Sequence, residues 1–410
     1  MQYVILGAGP AGVVAAENLR KADPTGSITL VGGEAHPPYS RMAIPYVLTG
    51  LIDEQGTYLR KTDGHFQALD ITYIQGLATR VDPQTSTVTL QDGHTLGYDK
   101  LLLATGSSPV TPPVPGLDLD GVHHCWTLQD AAALAGRAKP GSNVVLMGAG
   151  FIGCIILESL VERGVNLTVV EAEDRIISRM MDATGGEMLK RWVERRGVSL
   201  LTSTKVTGVR QDGEKLVVST DRGGDLDADL VVVSVGVSPN TAFLAGSGVE
   251  VGGGVKVNDR LETTVVGIYA AGDVAEGPDF GGGFQVHAVQ PTSVEHGRIA
   301  ALNMTGADAK YRGSLIMNVL DTLGLVSASF GHWMGEDDQA VMMDHDHHRY
   351  IKLAFHGDQL VGALSLGRTD QIGVLRGLIQ SRIKLGPWKD KLKADPSRIA
   401  EAYVACSQGV

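Results

Sequence analysis

The hexapeptide Gly7-Ala8-Gly9-Pro10-Ala11-Gly12 constrains the fold more than any other stretch, because its whole context recurs. An apolar run, Tyr3-Val4-Ile5-Leu6, stands before it. A helical pattern from Val13 to Lys21 follows, then a second apolar run, Ile28-Thr29-Leu30-Val31, and then Glu34. The order is strand, glycine turn, helix, strand, acid. Asn143-Val144-Val145-Leu146-Met147 opens the second copy, in which Gly148-Ala149-Gly150-Phe151-Ile152-Gly153 leads into a helix to Arg163, the run Leu167-Thr168-Val169-Val170 and Glu171. The three glycines serve a tight turn, room for a pyrophosphate against bare backbone, and close packing of helix on strand. The helix end offers free N–H groups and a partial positive charge to phosphate. Two such units predict two bound dinucleotides.

Length and composition set the bounds. A chain of 410 residues, 43% hydrophobic and 20% charged, has room for two or three globular domains. The net charge of −11 argues against a general nucleic-acid binder. Three cysteines, Cys125, Cys154 and Cys406, fall in no CxxC or metal-type spacing. No signal or transit peptide fits ahead of the first strand, and no apolar run approaches the length of a membrane span. A reducing cytoplasm is the expected compartment.

Between and beyond the two units the pattern is punctuated by turns. A Pro-rich stretch, His36-Pro37-Pro38-Tyr39-Ser40-Arg41, follows the first unit. Ile71 to Ile74 reads as a buried strand, and Asp92-Gly93 as a hairpin between Thr87–Leu90 and Thr95-Leu96. A strand, Lys100 to Leu103, runs into Ala104-Thr105-Gly106. A breaker run with four prolines, residues 109–116, reads as a linker. Leu230 to Val235 is another buried strand, ending at Gly236-Val237-Ser238-Pro239-Asn240. Gly267 to Val274 reads as a strand ending in Gly272-Asp273, and Gln290-Pro291-Thr292 leads into a helix from Ser293 to Asn303. From about Gly313 strands over 315–330, 340–343, 350–355 and 360–366, with a hairpin at Gly357-Asp358, and an amphipathic helix over 371–384 read as an α+β domain.

Glu171 closes its strand about twenty residues after the second glycine turn, where a carboxylate accepts hydrogen bonds from ribose hydroxyls and repels a 2′-phosphate. Ala172 and Glu173 follow it, with no adjacent Arg, so NADH is expected over NADPH. At the first turn the acid comes two residues late, at Glu34, after Gly32-Gly33. A carboxylate held after a strand, as at Asp273, can bind the ribityl hydroxyls of a flavin.

The order GAGPAG, LLLATG, GAGFIG, GVSPN and AAGDV resembles the two-dinucleotide-binding flavoproteins of the pyridine nucleotide-disulfide oxidoreductase superfamily, over residues 1–310. The resemblance implies an α/β fold with two Rossmann-like domains, the second inserted in the first. FAD would bind 1–112 and 241–312, NADH would bind 113–240, and 313–410 would form an α+β interface domain. The C-terminal part resembles the NADH oxidase, coenzyme A disulfide reductase and rubredoxin reductase branch, and the flavin segment of nitrite reductases. The positions implied for the cofactors are Gly7, Gly9, Pro10, Ala11, Gly12, Glu34, Arg41, Ala78, Thr105, Gly106, Gly272, Asp273, Gln290, Pro291 and Thr292 on the flavin side. Gly148, Gly150, Phe151, Ile152, Gly153, Glu171 and Gly236 are the positions on the nicotinamide side.

The departures from the family pattern point to the acceptor. No CxxxxC follows the first unit, and in Arg41-Met42-Ala43-Ile44-Pro45-Tyr46 a methionine stands where the single-cysteine branch has its thiol. A thioether forms no thiolate or mixed disulfide. The family's Lys–Glu pair near flavin N5 falls on Tyr46 and Ile155, both uncharged, which implies a more apolar nicotinamide pocket. Arg41 resembles the PYxR segment of ferredoxin and rubredoxin reductases, and the helix opened by Gln290 would point its positive end at the flavin N1–C2=O edge. Arg41, Tyr46 and Gln290 are thus the candidate catalytic residues. The expected activity is electron transfer from NADH through FAD to a rubredoxin or iron–sulfur protein, in a homodimer. An NADH oxidase using O₂, or a flavoprotein subunit of a larger reductase complex, is the alternative. Three features carry no assigned chemistry: His123-His124-Cys125, the run Asp344-His345-Asp346-His347-His348, which reads as a polar loop or strand edge, and the basic segment 376–393 with Trp388, whose readings include a docking face, a solvated helix and a dimer contact.

Overall fold

The computed structural model describes residues 1–407. The chain packs as two compact units, one formed by Met1–Ser108 and Val237–Ser314, the other by Pro109–Gly236 and the chain from Leu315 onward.

The first unit is built on a five-stranded parallel sheet in the order Ile268–Ala270, Lys100–Leu103, Gln2–Leu6, Ser27–Gly32, Ile71–Gln75. The central strand pairs Leu6 with Val31 on one side and with Leu103 on the other. Its residues Val4, Ile5 and Leu6 are buried, as a parallel strand covered on both faces requires. The helix Pro10–Ala22 covers the sheet and packs along the helix Gln290–Met304. Both start about three residues before the apolar periodicity does, because backbone N–H groups in the first turn have no intrahelical acceptor and a proline there forfeits no bond. A three-stranded antiparallel ribbon, Ala78–Asp82, Thr87–Leu90 and Thr95–Gly97, turns at Gly93, whose φ of +87° is left-handed.

The second unit repeats the design. Its parallel sheet runs Ser199–Leu201, Asn166–Val170, Asn143–Met147, Leu230–Val233, Val122–His123. His123 is therefore an edge-strand residue. The register from Asn143↔Asn166 to Met147↔Val170 copies that from Gln2↔Ser27 to Leu6↔Val31. The same unit holds an antiparallel sheet in the order Met317–Thr322, Leu325–Gly331, Gln359–Leu366, Arg349–His356, Gln339–Asp344. The apolar stretch 315–330 is thus a hairpin, turning where Leu323 and Gly324 take φ of +53° and +85°. The predicted helix over 371–384 is shorter, Ile372–Ser381, and stops where Arg382 turns left-handed at φ +50°. Residues 345–348 form the turn between two strands, with His347 Nδ1 2.8 Å from Asp344.

The sheet of residues 317–366 is fastened to the helix Ala183–Glu194 and its N-cap. Trp192 Nε1–H donates to Thr322 O and Leu323 O at 3.2 and 3.1 Å, and Tyr350 OH donates to Asp182 at 2.6 Å. In the basic segment, Lys389 and Lys393 both pair with Asp338, and Lys391 lies over the Trp388 ring.

Candidate dinucleotide sites

The first glycine turn is shaped by what a side chain would strike. A Cβ on Gly7 would sit 2.0 Å from Ala104 O, and one on Gly12 would sit 1.9 Å from Gly7 O. Nothing lies within 4 Å of a Cβ on Gly9, so the middle glycine faces open space. The first intrahelical bond runs from Val13 N–H to Gly9 O at 3.0 Å, and Gly9 carries no capping side chain. The N–H groups ahead of Val13 therefore lie at the open positive end of the helix. Turn, opening and donors fit a pyrophosphate.

Two further loops close on this turn. Thr105 Oγ1 donates to Asn240 O, Asn240 Nδ2 donates to Thr105 O, and Asn240 N–H donates to Gly106 O, each at 2.9 Å. The Ser-Pro-Asn segment thus fixes the Thr-Gly loop, a role its sequence does not announce. Gly272, at φ +77°, has Ser293 Oγ and Ala11 Cβ beside its missing side chain at 3.2 and 3.3 Å. A Cβ on Gly297 would be 2.2 Å from Ala11 O. Ala11 is accordingly where the glycine turn, the Gly-Asp turn and the helix Gln290–Met304 meet. Asp273 is half-buried and accepts from Ser107 Oγ at 3.2 Å and Ser293 Oγ at 3.3 Å. Burial raises its pKa against the pull of those hydroxyls and of Arg41. Such a carboxylate, accepting from two side-chain hydroxyls among the described residues, has acceptor capacity left for ribityl hydroxyls.

The other first-unit candidates divide. Gln290 Oε1 accepts from Ser40 Oγ at 2.7 Å, which ties the start of its helix to the Pro-rich stretch. Thr292 is buried with its hydroxyl 2.7 Å from Ser314 Oγ, so only its backbone is available to a ligand. Glu34 is already held on both oxygens, by Arg41 Nη2 and by Tyr39 OH, while Arg41 Nη1 donates to Tyr39 OH at 3.1 Å. Glu34 and Arg41 thus form one cluster rather than two separate contacts. Met42 and Tyr46 are more than half exposed, at 56% and 54%. Ala78 begins the antiparallel ribbon opposite Leu90.

The second turn matches the first atom for atom. A Cβ on Gly148 would lie 2.3 Å from Ser234 O, one on Gly153 2.3 Å from Gly148 O, and one on Gly150 would meet nothing within 4 Å. The helix Phe151–Glu162 follows, with Cys154 N–H bonded to Gly150 O at 2.9 Å, so Phe151 and Ile152 occupy its open first turn. Gly236, at φ +126°, faces open space. Glu171 is buried; its Oε2 accepts from Ala149 N–H at 2.6 Å and its Oε1 from Glu173 N–H at 2.8 Å. The acid is thereby locked to the turn, with lone pairs left for ribose. Arg175, the nearest cation in sequence, is held by Asp174 and by Met181 O at 3.0 Å. Ile155 is half-buried on the same helix. Burial pushes the thiols of Cys125 and Cys154 up to about 12. Cys406 is half-buried, and burial raises its pKa too.

Two glycine cradles of one geometry, the first completed by Thr-Gly and Gly-Asp loops, define a flavoprotein that uses two dinucleotides. The chain belongs to the pyridine nucleotide-disulphide oxidoreductase family, whose model matches residues 1–297. It is an oxidoreductase dependent on FAD and NADH. It is 31% identical to the NADH-dependent phenylglyoxylate dehydrogenase subunit epsilon of Aromatoleum evansii, over 98% of this chain and 97% of the relative. It is 31% identical to the rhodocoxin reductase of Rhodococcus erythropolis, over 94% and 91% respectively. The fold matches a chain of the covalent putidaredoxin reductase–putidaredoxin complex with a TM-score of 0.91, covering 99% of both chains at 24% identity.

Proposed function

We propose that this protein takes electrons from NADH at the second cradle and delivers them from FAD at the first to a small iron–sulfur or rubredoxin-type protein, without a catalytic cysteine. The observation that carries this is the state of the thiols: by resemblance Met42 falls at the family's cysteine position, and burial pushes the pKa of the buried thiols of Cys125 and Cys154 up to about 12 and raises that of half-buried Cys406 as well. When bound, FAD accepts a hydride and can release electrons singly, which suits a one-electron protein acceptor. Rhodocoxin reductase, similar over nearly the whole chain, agrees in kind.

The residues have separable roles. The N–H groups after Gly9 and the bare face of that glycine hold the FAD pyrophosphate, and Asp273 holds the ribityl chain. The positive end of the helix Gln290–Met304 would stabilise negative charge on the bound flavin, with Gln290 keeping Ser40, and Arg41 next to it, beside that helix end. At the second cradle Glu171 orients the adenosine ribose and excludes a 2′-phosphate. The FAD domain is assigned to 1–112 and 241–312, the NADH domain to 113–240 and the interface domain to 313–410. The protein is read as a cytoplasmic homodimer. Among the described residues no helix is long and apolar enough to cross a membrane.

Anaerobic stopped-flow mixing tests the reading. NADH bleaches the flavin much faster than NADPH, and added rubredoxin or ferredoxin reoxidises it. Failure of NADH to bleach the flavin removes the central step, and fast reoxidation by O₂ alone favours an oxidase. The full-length similarity to a dehydrogenase subunit supports a second reading, a flavoprotein subunit of a larger complex. Co-purification with a stable partner and weak reaction with free acceptors would favour it.

A further inference from the structure

His296 lies in the second turn of the helix Gln290–Met304 and is 1% exposed. Its Nδ1 stands 3.3 Å from Gly272 N and accepts that N–H. The ring proton therefore sits on Nε2, which is buried with no hydrogen-bond partner among the described residues. An unpaired buried donor is destabilising, so a residue that only filled space here would be better apolar. What the ring supplies is the acceptor on its other side. Gly272 is in the left-handed region at φ +77°, and among the described residues its N–H is held by this bond. Asp273 follows directly, with Ser293 Oγ, from the same helix, on its Oδ1. The ring cannot rotate away, because Tyr311 packs edge-on against it at 4.5 Å, and Tyr311 OH is itself bonded to Ser314. Burial, with a smaller contribution from His287, pushes the His296 pKa down to about 3, so it stays a neutral acceptor at working pH.

We infer that His296 is a positioning residue for the cofactor: by accepting the Gly272 N–H it sets the turn that aims the Asp273 carboxylate at the ribityl hydroxyls. This rests on the reading of Asp273 as the ribityl ligand. Leucine fills the same volume without an acceptor; glutamine restores one through its amide oxygen.

The test uses full-length holoprotein. FAD release is followed by the rise in flavin fluorescence after dilution, alongside hydrogen exchange of the peptide spanning Gly272–Val274. His296→Leu releases FAD about 10-fold faster and loses protection at that peptide, while His296→Gln stays within about 3-fold of wild type in both. Wild-type release in His296→Leu, or equal damage from both substitutions, overturns the inference. Long-range ¹⁵N NMR of the wild-type ring needs no variant to fold: an unprotonated Nδ1 at pH 7 is expected, and a proton on Nδ1 contradicts it. Asp273→Ala separates the two layers. If it keeps FAD as tightly as wild type, the ribityl reading falls and takes this inference with it; if it sheds FAD while His296→Leu does not, only the inference falls.

Discussion

The two glycine turns share a backbone and differ in what surrounds them. In each, the first glycine turns beneath a carbonyl of the neighbouring loop, the third packs on the carbonyl of the first, and the middle one faces open space. The first turn is then locked by partners distant in sequence: Ala104-Thr105-Gly106, Gly272-Asp273 and the helix Gln290–Met304. The second relies chiefly on one nearby residue, Glu171, whose carboxylate reaches back to Ala149 N–H. Shared backbone makes a phosphate cradle. On the proposed reading, the added loops would distinguish a cofactor that stays from a nucleotide that comes and goes.

Substitutions in matched positions sharpen that contrast. The largest effect falls on the third glycines. Gly12→Val drives a side chain into Gly7 O and should yield protein without flavin, seen as loss of the yellow absorbance at equal protein. Gly153→Val has the same clash with Gly148 O but should retain FAD and lose reduction by NADH. Loss of FAD from the second variant would show that the two cradles are not independent.

Next comes Asp273→Ala, which removes a half-buried carboxylate and should weaken FAD retention by about 10–100-fold, read as the release rate. The acids at the strand ends give an intermediate, asymmetric pair. Glu171→Ala frees both the Ala149 N–H and the ribose, so KM for NADH should rise by about 10-fold or more. Glu34→Ala should change FAD release by only about 3-fold, because this acid is already occupied by Arg41 and Tyr39. Equal effects would dissolve the distinction between the two acids. The smallest effect is expected at the cysteines. Alkylation with iodoacetamide at pH 7.5, where the buried thiols of pKa about 12 are protonated, should leave the rate of flavin reduction within about 2-fold.

Much of this was legible in the sequence because it is local. A glycine turn between an apolar strand and a helix specifies its own geometry, and the two copies announce each other. The details that escaped are long-range. Ser107 and Ser293 reach Asp273 from residues 166 and 20 positions away. Asn240 is bonded to a loop 135 residues earlier. His296 gives no local signal, since a histidine within a helix reads as an ordinary buried or surface residue. Glu34 comes two residues late for the ribose role in the sequence, and the pairing with Arg41, seven residues on, has no local signal. The hairpin at Leu323-Gly324 was hidden inside one apolar stretch because its turn contains a leucine at positive φ.

An anaerobic titration counting NADH against flavin tests the central claim most directly. With no redox-active thiol, one NADH per FAD reduces the protein completely, and no further NADH is consumed. Consumption of a second equivalent would reveal another two-electron centre in the chain and contradict the thiol-free route.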